Sequence, residues 1–263
     1  YIPYYFTDGD TAYEVSRYFA CFTDIFFVFG GFFASSIVDK ESFGFAAYRT
    51  FLVKKFARLY PLHAVTLLFY LMIAIAVALG VTHPKNPQRY DLTSFIPHLT
   101  LTHSFGLGDF STFNYPSWAV SAIFGCCLLL PALRASHMLP SVNAGMIVVL
   151  VATIAASVAI SDSLGLRLTN VQEASLGIVR CVPSFVFGVL LARNRHLAVP
   201  PVVAVMAFLM AVAMLFGQGE PIAGVERLML VYVLVSSIVA IDVAGIYFPL
   251  QAKPIRYMAR YSF

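Results

Sequence analysis

The feature that most constrains this chain is an apolar run at residues 59–81 that contains no Asp, Glu, Lys or Arg. At about 1.5 Å per residue, a helix of this length reaches roughly 34 Å and crosses a hydrocarbon core about 30 Å thick. Lys54, Lys55 and Arg58 stand directly before the run. The pattern predicts a transmembrane helix with basic residues at its N-terminal end.

The composition extends this prediction to the whole chain. Of the 263 residues, 60% are hydrophobic and 11% are charged, whereas an ordinary soluble domain has about 25% charged residues. So few charges cannot cover the surface of a soluble protein. The sequence therefore predicts an all-α, polytopic membrane bundle that forms one domain over residues 1–263, and it excludes nucleic acid as a partner.

Six further apolar segments bring the prediction to about seven spans. They lie at residues 18–38, 117–133, 142–160, 175–192, 199–216 and 227–247. Eleven Lys and Arg residues fall in the loops on one side of these spans, and five fall on the other side. Because basic loops stay in the cytoplasm, we expect the N-terminus of the chain outside and its C-terminus inside.

The ends of the chain suggest a fragment. The first residue is Tyr1, no signal-peptide pattern follows it, and another segment starts near Phe263. We expect at least one helix to precede the chain, and truncation at both ends.

Cysteine and histidine spacing predicts no metal site. The four cysteines all lie in predicted spans and read as small buried apolar residues: Cys21, Cys126, Cys127 and Cys181. His83, His98 and His103 are 15 and five residues apart, which is not a zinc-ligand pattern. Residues 92–105 are too short to span, so we expect them on the outer face or dipping into it.

Ionisable residues inside predicted spans are the first functional candidates, because lipid makes them costly. Asp24 and Arg180 have opposite signs, so they are either a buried ion pair that fixes helix packing or separate site residues. Asp242 lies near the inner end of the last span. His63 is either a packing residue or a base that faces the interior.

Lys55 and Arg58 are three residues apart and share one helix face, so they could hold one phosphate from the same side. The alternative is that they only anchor the helix in the headgroups. Pro61 predicts a kink or a fresh helix start.

Five short segments resemble a known family in their order along the chain. Residues 24–32 read DIFFVFGGF, 55–61 KFARLYP, 114–121 NYPSWAVS, 180–188 RCVPSFVFG and 256–263 RYMARYSF. They resemble, respectively, D-x-F-F-V-x-S-G-F, R-x-x-R-x-x-P, N-x-P-x-W-S-x-S, R-x-x-x-x-F-x-x-G and the start of the final helix in the acyltransferase family 3 membrane proteins, whose core has about ten spans.

The resemblance implies a bacterial inner-membrane enzyme that moves an acyl group, usually acetyl, from cytoplasmic acyl-CoA to a hydroxyl of an envelope carbohydrate or lipid-linked acceptor. Acyl-CoA is then a co-substrate, and no bound cofactor or metal is expected. The implied site residues are Asp24 and Ser121 in catalysis, Lys55, Arg58 and Arg180 in acyl-CoA binding, and Trp118 and His63 in the substrate channel.

The chain departs from the family pattern at three positions. Gly30 and Ala119 stand where the family has Ser, and Ile123 stands where it has Glu. The family's base histidine belongs to a helix that would precede Tyr1. If the Glu is essential, this chain uses another acid, with Asp24 the nearest, or has lost activity. A transporter or a seven-span receptor remains the alternative.

Overall fold

The computed structural model describes residues 21–38, 44–84, 86–107, 112–135, 142–197, 199–217, 222 and 224–246. Within these ranges the chain forms α-helices and short 3-10 turns, and no strand. The α-helices are α1 (Cys21–Val38), α2 (Phe45–Ala78), α3 (Phe95–Leu99), α4 (Trp118–Leu128), α5 (Leu130–Ala135), α6 (Val142–Ser163), α7 (Gly177–Asn194), α8 (Pro201–Phe216) and α9 (Gly224–Val243).

The predicted all-α membrane bundle is confirmed. In the described part of the chain, α2, α6, α7 and α9 are long and apolar enough to cross a bilayer, while α1, α4 and α8 are shorter apolar helices. Among the described residues, each predicted span overlaps at least one α-helix. The count of seven spans stays a prediction, because three of these helices are short for a hydrocarbon core of about 30 Å.

The second helix begins earlier than the sequence predicted. α2 starts at Phe45 rather than near residue 59, so Lys55 and Arg58 lie within the helix and not before it. Pro61 causes no fresh start, and the helix continues to Ala78. A proline inside a membrane helix is tolerated because neighbouring groups can satisfy the carbonyl that loses its partner.

The predicted span at 117–133 is divided. α4 ends at Leu128, and α5 begins at Leu130, with Pro131 in its first turn. Residues 92–105 do not form a span, as expected. They contain a 3-10 turn and α3, and this segment packs against α2 through a hydrogen bond from the Tyr60 hydroxyl to the Leu99 carbonyl (3.0 Å).

The close crossing of α1 and α7 organises the bundle. A Cβ atom on Gly31 would collide with the Phe185 carbonyl, and one on Gly188 would collide with the Val28 carbonyl. Both glycines belong to segments that resemble the family, at 24–32 and 180–188. The two segments therefore form one packing unit, in which glycine lets the two backbones approach.

The predicted role of the cysteines is confirmed. All four are buried and none forms a disulfide. Cys126 on α4 and Cys181 on α7 face each other, with their sulfur atoms 3.3 Å apart, inside the apolar core that also contains Phe27 and Trp118.

Candidate functional site

The first polar region of the bundle is an ion pair between α1 and α7. Arg180 donates from Nε to Asp24 Oδ1 (2.8 Å) and from Nη2 to Asp24 Oδ2 (2.9 Å). Both side chains are almost fully buried. This two-bond geometry is the strongest form of an Arg–carboxylate contact, and it confirms the predicted pair.

Two further segments of the chain also contact this pair. Arg180 Nη1 donates to the Thr169 carbonyl (2.7 Å) and to Gln172 Oε1 (3.1 Å), both in the 3-10 segment Leu168–Ala174. Arg227, in the first turn of α9, places Nη2 3.7 Å from Asp24 Oδ2. The pair therefore joins α1, α7, α9 and the 3-10 segment into one framework. Sequence reasoning missed Gln172 and Arg227, which carry no periodic signal.

Trp118 lies beside this framework at the start of α4. The Arg180 guanidinium lies 5.6 Å from the centre of its ring, and Phe27 packs edge-on at 5.7 Å. A Cβ atom on Gly177 would collide with the indole. The ring is thus enclosed by protein on several sides, and its contact with a substrate stays a prediction.

The departures at Gly30 and Ile123 lie in contact with each other. A Cβ atom on Gly30 would collide with the Ile123 side chain, and Phe185 lies close behind it. Ile123 is 4% exposed. The Ile123 side chain fills the space above Gly30. The family pattern has a Ser hydroxyl at the position of Gly30 and a Glu carboxyl at the position of Ile123. The two departures form one local change from polar to apolar packing.

Ser121 ties α4 to the loop after α3. Its hydroxyl donates to the Leu101 carbonyl (2.6 Å) and accepts from the Ser104 backbone N–H (3.3 Å). The Ser104 hydroxyl in turn donates to the Trp118 carbonyl (2.7 Å). These contacts hold the loop in place, and a catalytic role for Ser121 stays a prediction.

The second polar region is a stack of three buried imidazoles, His63, His98 and His103, which we call the histidine stack. The ring centres of His98 and His103 are 4.1 Å apart with nearly parallel planes, and those of His63 and His103 are 6.1 Å apart. His63 comes from α2 and the other two from residues 92–105, so a helix and a loop distant in sequence build it together. The sequence pattern gave no sign that His98 and His103 join His63.

Backbone carbonyls fix the protonation of this stack. His63 Nε2 is 2.8 Å from the His98 carbonyl, and His103 Nδ1 is 3.4 Å from the Pro97 carbonyl. Because a carbonyl only accepts, these nitrogens carry the hydrogens. His103 Nε2 is then an acceptor, and it accepts a hydrogen bond from the Ser117 hydroxyl, with Oγ and Nε2 3.2 Å apart. Ser117 precedes α4 but makes no side-chain cap bond to it.

His103 is neutral at ordinary pH. Burial, followed by the neighbouring His98 and His63, lowers the pKa of His103 to about 3. A neutral imidazole can accept a proton or a hydrogen bond, which a charged one cannot.

The basic pair of α2, Lys55 and Arg58, is part of neither polar region and precedes His63 on the same helix. Lys55 is half-buried with its ammonium 5.9 Å from the Phe51 ring centre, and Arg58 is exposed. The structure thus brings together Asp24, Arg180 and Trp118, and places Ser121 beside the loop of the histidine stack. Asp242 is exposed in the last turn of α9. In the described ranges, no group of three or more His, Cys, Asp or Glu side chains could hold a metal ion.

Comparison with known proteins agrees with this architecture. A family model described as an acyltransferase domain matches residues 1–263. Acyltransferase MdmB from Streptomyces mycarofaciens is 34% identical over 111 residues, which cover 41% of this chain and 26% of that protein. The matched region thus spans about a quarter of this relative. No solved structure matches.

Proposed function

Because the chain belongs to the acyltransferase family whose domain model matches residues 1–263, we propose that it transfers an acyl group, acetyl in the simplest case, from cytoplasmic acyl-CoA to a hydroxyl of an envelope carbohydrate or lipid-linked acceptor. The match over the whole chain carries this proposal. It favours an enzyme over the transporter and receptor alternatives. The membrane-spanning helices agree with an acceptor at a bilayer surface.

The donor site in this proposal is the basic face of α2. Acyl-CoA carries several phosphate charges, and Lys55 and Arg58 are three residues apart on one helix, so both can contact one phosphate group. Arg58 is exposed and therefore available to a ligand. With the basic loops inside, this face serves a donor made in the cytoplasm of a bacterial cell.

Arg180 and Asp24 have a different position in the proposal. Arg180 donates four hydrogen bonds to protein acceptors, two of them to Asp24, so a CoA phosphate would have to displace these contacts. We assign the pair the task of holding Trp118 at the start of α4, beside the space that a substrate channel would use. The alternative is that Asp24 and Arg180 act directly on acyl-CoA or on the acceptor.

The experiment is a binding titration of CoA to the full-length protein in detergent micelles. Charge-assisted contacts to phosphate are about twice as strong as neutral ones, so Arg58→Ala should weaken CoA binding about 10-fold. Arg49→Ala is the matched control, because Arg49 is exposed on the same helix nine residues earlier and faces the opposite side. Equal CoA affinity in wild type and a folded Arg58→Ala protein would remove the donor site from the proposal.

A further inference from the structure

An apolar cavity lies between α6, α7, α8 and α9, away from both polar regions. Its volume is about 550 Å³, within the range of about 300–1,000 Å³ that small-molecule sites have. One face of α9 lines it with residues three or four apart: Met229, Tyr232, Val233, Ser236, Ser237 and Ala240. At about 1.5 Å per residue, this face covers roughly 16 Å from Met229 to Ala240. The cavity is therefore elongated along α9.

The surroundings of this cavity favour a hydrocarbon chain as its occupant. Val151 on α6 and Val203 on α8 line it and are 60% and 55% exposed, so the cavity opens to the outside of the bundle. On its inner side, Phe187 of α7 stacks on Tyr232 of α9, with ring centres 4.0 Å apart. Because α6, α7 and α9 are long and apolar enough to cross a bilayer, lipid tails surround the opening. Its length of roughly 16 Å is close to half of a hydrocarbon core about 30 Å thick, which is the depth of one leaflet.

Basic residues lie at one end of the cavity. Val199, two residues before α8, lines the cavity where the chain leaves α7. Arg195 is exposed four residues before Val199, and Arg193 lies in the last turn of α7. Asp242 brings one negative charge to the same end, two residues beyond Ala240 on α9. Among the described residues of these helix ends, two arginines and one aspartate leave an excess of positive charge.

We propose that this cavity binds one acyl chain of an anionic phospholipid, whose phosphate contacts Arg195. The chain fills the apolar groove along α9, and the guanidinium donates charge-assisted hydrogen bonds to the phosphate. A zwitterionic lipid fits the groove equally well but brings its own positive charge to the arginines. The predicted orientation puts this end of the bundle at the cytoplasmic leaflet, where anionic lipids attract basic residues. The site does not depend on acyl transfer.

The test places the full-length protein in nanodiscs that contain equal parts of phosphatidylglycerol and phosphatidylcholine with identical acyl chains. Native mass spectrometry of the released protein counts the phospholipids that stay bound and identifies their headgroups. For wild type, we expect one tightly retained phospholipid. We expect phosphatidylglycerol to be favoured about fivefold, because one basic residue near the membrane surface strengthens the binding of an anionic lipid by about that factor.

Two variants change the groove and the headgroup contact separately. Ala207→Phe fills the cavity from α8 and should lower phospholipid retention about 10-fold or more, because the ring occupies the space of the chain. Its control is Val202→Phe on the same helix, since Val202 is 74% exposed and does not line the cavity. Arg195→Gln should keep the bound phospholipid and lose the preference for phosphatidylglycerol. Its control is Arg167→Gln, an exposed arginine at the opposite end of the bundle, between α6 and α7.

Four outcomes would overturn the proposal. Wild type retains no phospholipid, or it retains the two lipids equally. The preference for phosphatidylglycerol survives Arg195→Gln, so the headgroup is bound elsewhere. Retention persists in an Ala207→Phe protein with the thermal midpoint of Val202→Phe, so the chain lies outside the cavity. A wild-type mass of two protein chains that Ala207→Phe reduces to one assigns the cavity to a second copy of the chain. If Ala207→Phe does not fold, Arg195→Gln decides alone, because this residue is exposed.

Discussion

The ion pair between α1 and α7 and the histidine stack are both buried polar regions, but they differ in how completely their groups are paired. Asp24 and Arg180 are charged and meet each other through two hydrogen bonds. In the histidine stack, His103 is neutral, and His63 Nδ1 has no hydrogen-bond partner among the described residues. A paired charge fixes helices in place, whereas a buried acceptor without a partner leaves one hydrogen bond unmade.

The largest expected effect tests the claim that the ion pair is structural. Asp24→Asn or Arg180→Gln alone leaves a buried charge without its partner and should cost about 3–5 kcal/mol of unfolding free energy. The double variant should recover part of this loss, because neither charge remains. Unfolding in mixed micelles measures all three variants.

Arg227→Gln serves as the control for the ion pair. Arg227 approaches Asp24 only to 3.7 Å, so its replacement should cost less than either single change in the pair. If the losses in Asp24→Asn and Arg180→Gln simply add in the double variant, the two side chains do not stabilise each other. The contrast between the two regions would then be wrong.

The next prediction concerns the contact between the two departures from the family pattern. Ile123→Glu places a carboxyl against Gly30 and should cost about 2–3 kcal/mol, because Ile123 is buried in the apolar core. Gly30→Ser alone collides with Ile123. The double change supplies both a hydroxyl and a carboxyl, so it should cost less than the sum of the single changes.

Activity sharpens this test. If the apolar pair only weakens catalysis, the double variant should raise acyl transfer from acetyl-CoA to octyl glucoside above the wild-type rate. If wild type already transfers well and Ile123→Glu abolishes transfer, then the resemblance at Trp118 does not extend to a catalytic role. Thermal midpoints of each variant distinguish loss of folding from loss of chemistry.

The sequence offered the ion pair as one of two alternatives for Asp24 and Arg180 and gave no sign of the histidine stack, and the reason is physical. Asp24 and Arg180 are opposite charges in segments that lipid surrounds, and they have few alternatives to pairing, although they are 156 residues apart. His63 meets His103 only because the loop after α3 folds back onto α2 through left-handed residues such as Leu101. Neither hydrophobic periodicity nor the distribution of charge in the sequence predicts this contact between the loop and α2.

The start of α2 shows a different limit of the sequence. The apolar run begins at residue 59, but the helix begins at Phe45, because an α-helix can carry basic residues on a face that is exposed. The prediction therefore recognised the apolar run but placed the start of the helix too late. The prediction that Lys55 and Arg58 share a helix agrees with the structure, which includes both in α2.

The smallest expected effect tests whether His103 is held neutral in the folded chain. The folded pKa of His103 is about 3, below the ordinary value of 6.5, so the unfolded chain binds a proton that the folded chain does not. Its contribution to stability is fully present above pH 6.5 and is lost as pH falls from there toward 3. At about 1.4 kcal/mol per pH unit, the loss between about pH 7.5 and 5.5 is roughly 1.4 kcal/mol.

The matched variant for this effect is His103→Gln, whose amide oxygen can still accept the Ser117 hydroxyl. Unfolding free energies of wild type and variant, measured in the same micelles across this pH range, should converge as the pH falls. The variant has no imidazole to titrate at this position, so it lacks that part of the acid sensitivity. Parallel pH curves for the two proteins would mean that His103 is already protonated, or exposed to water, in the folded chain. A charged His103 could not accept a hydrogen bond from the Ser117 hydroxyl, and the histidine stack would then contain a buried charge, as the ion pair does.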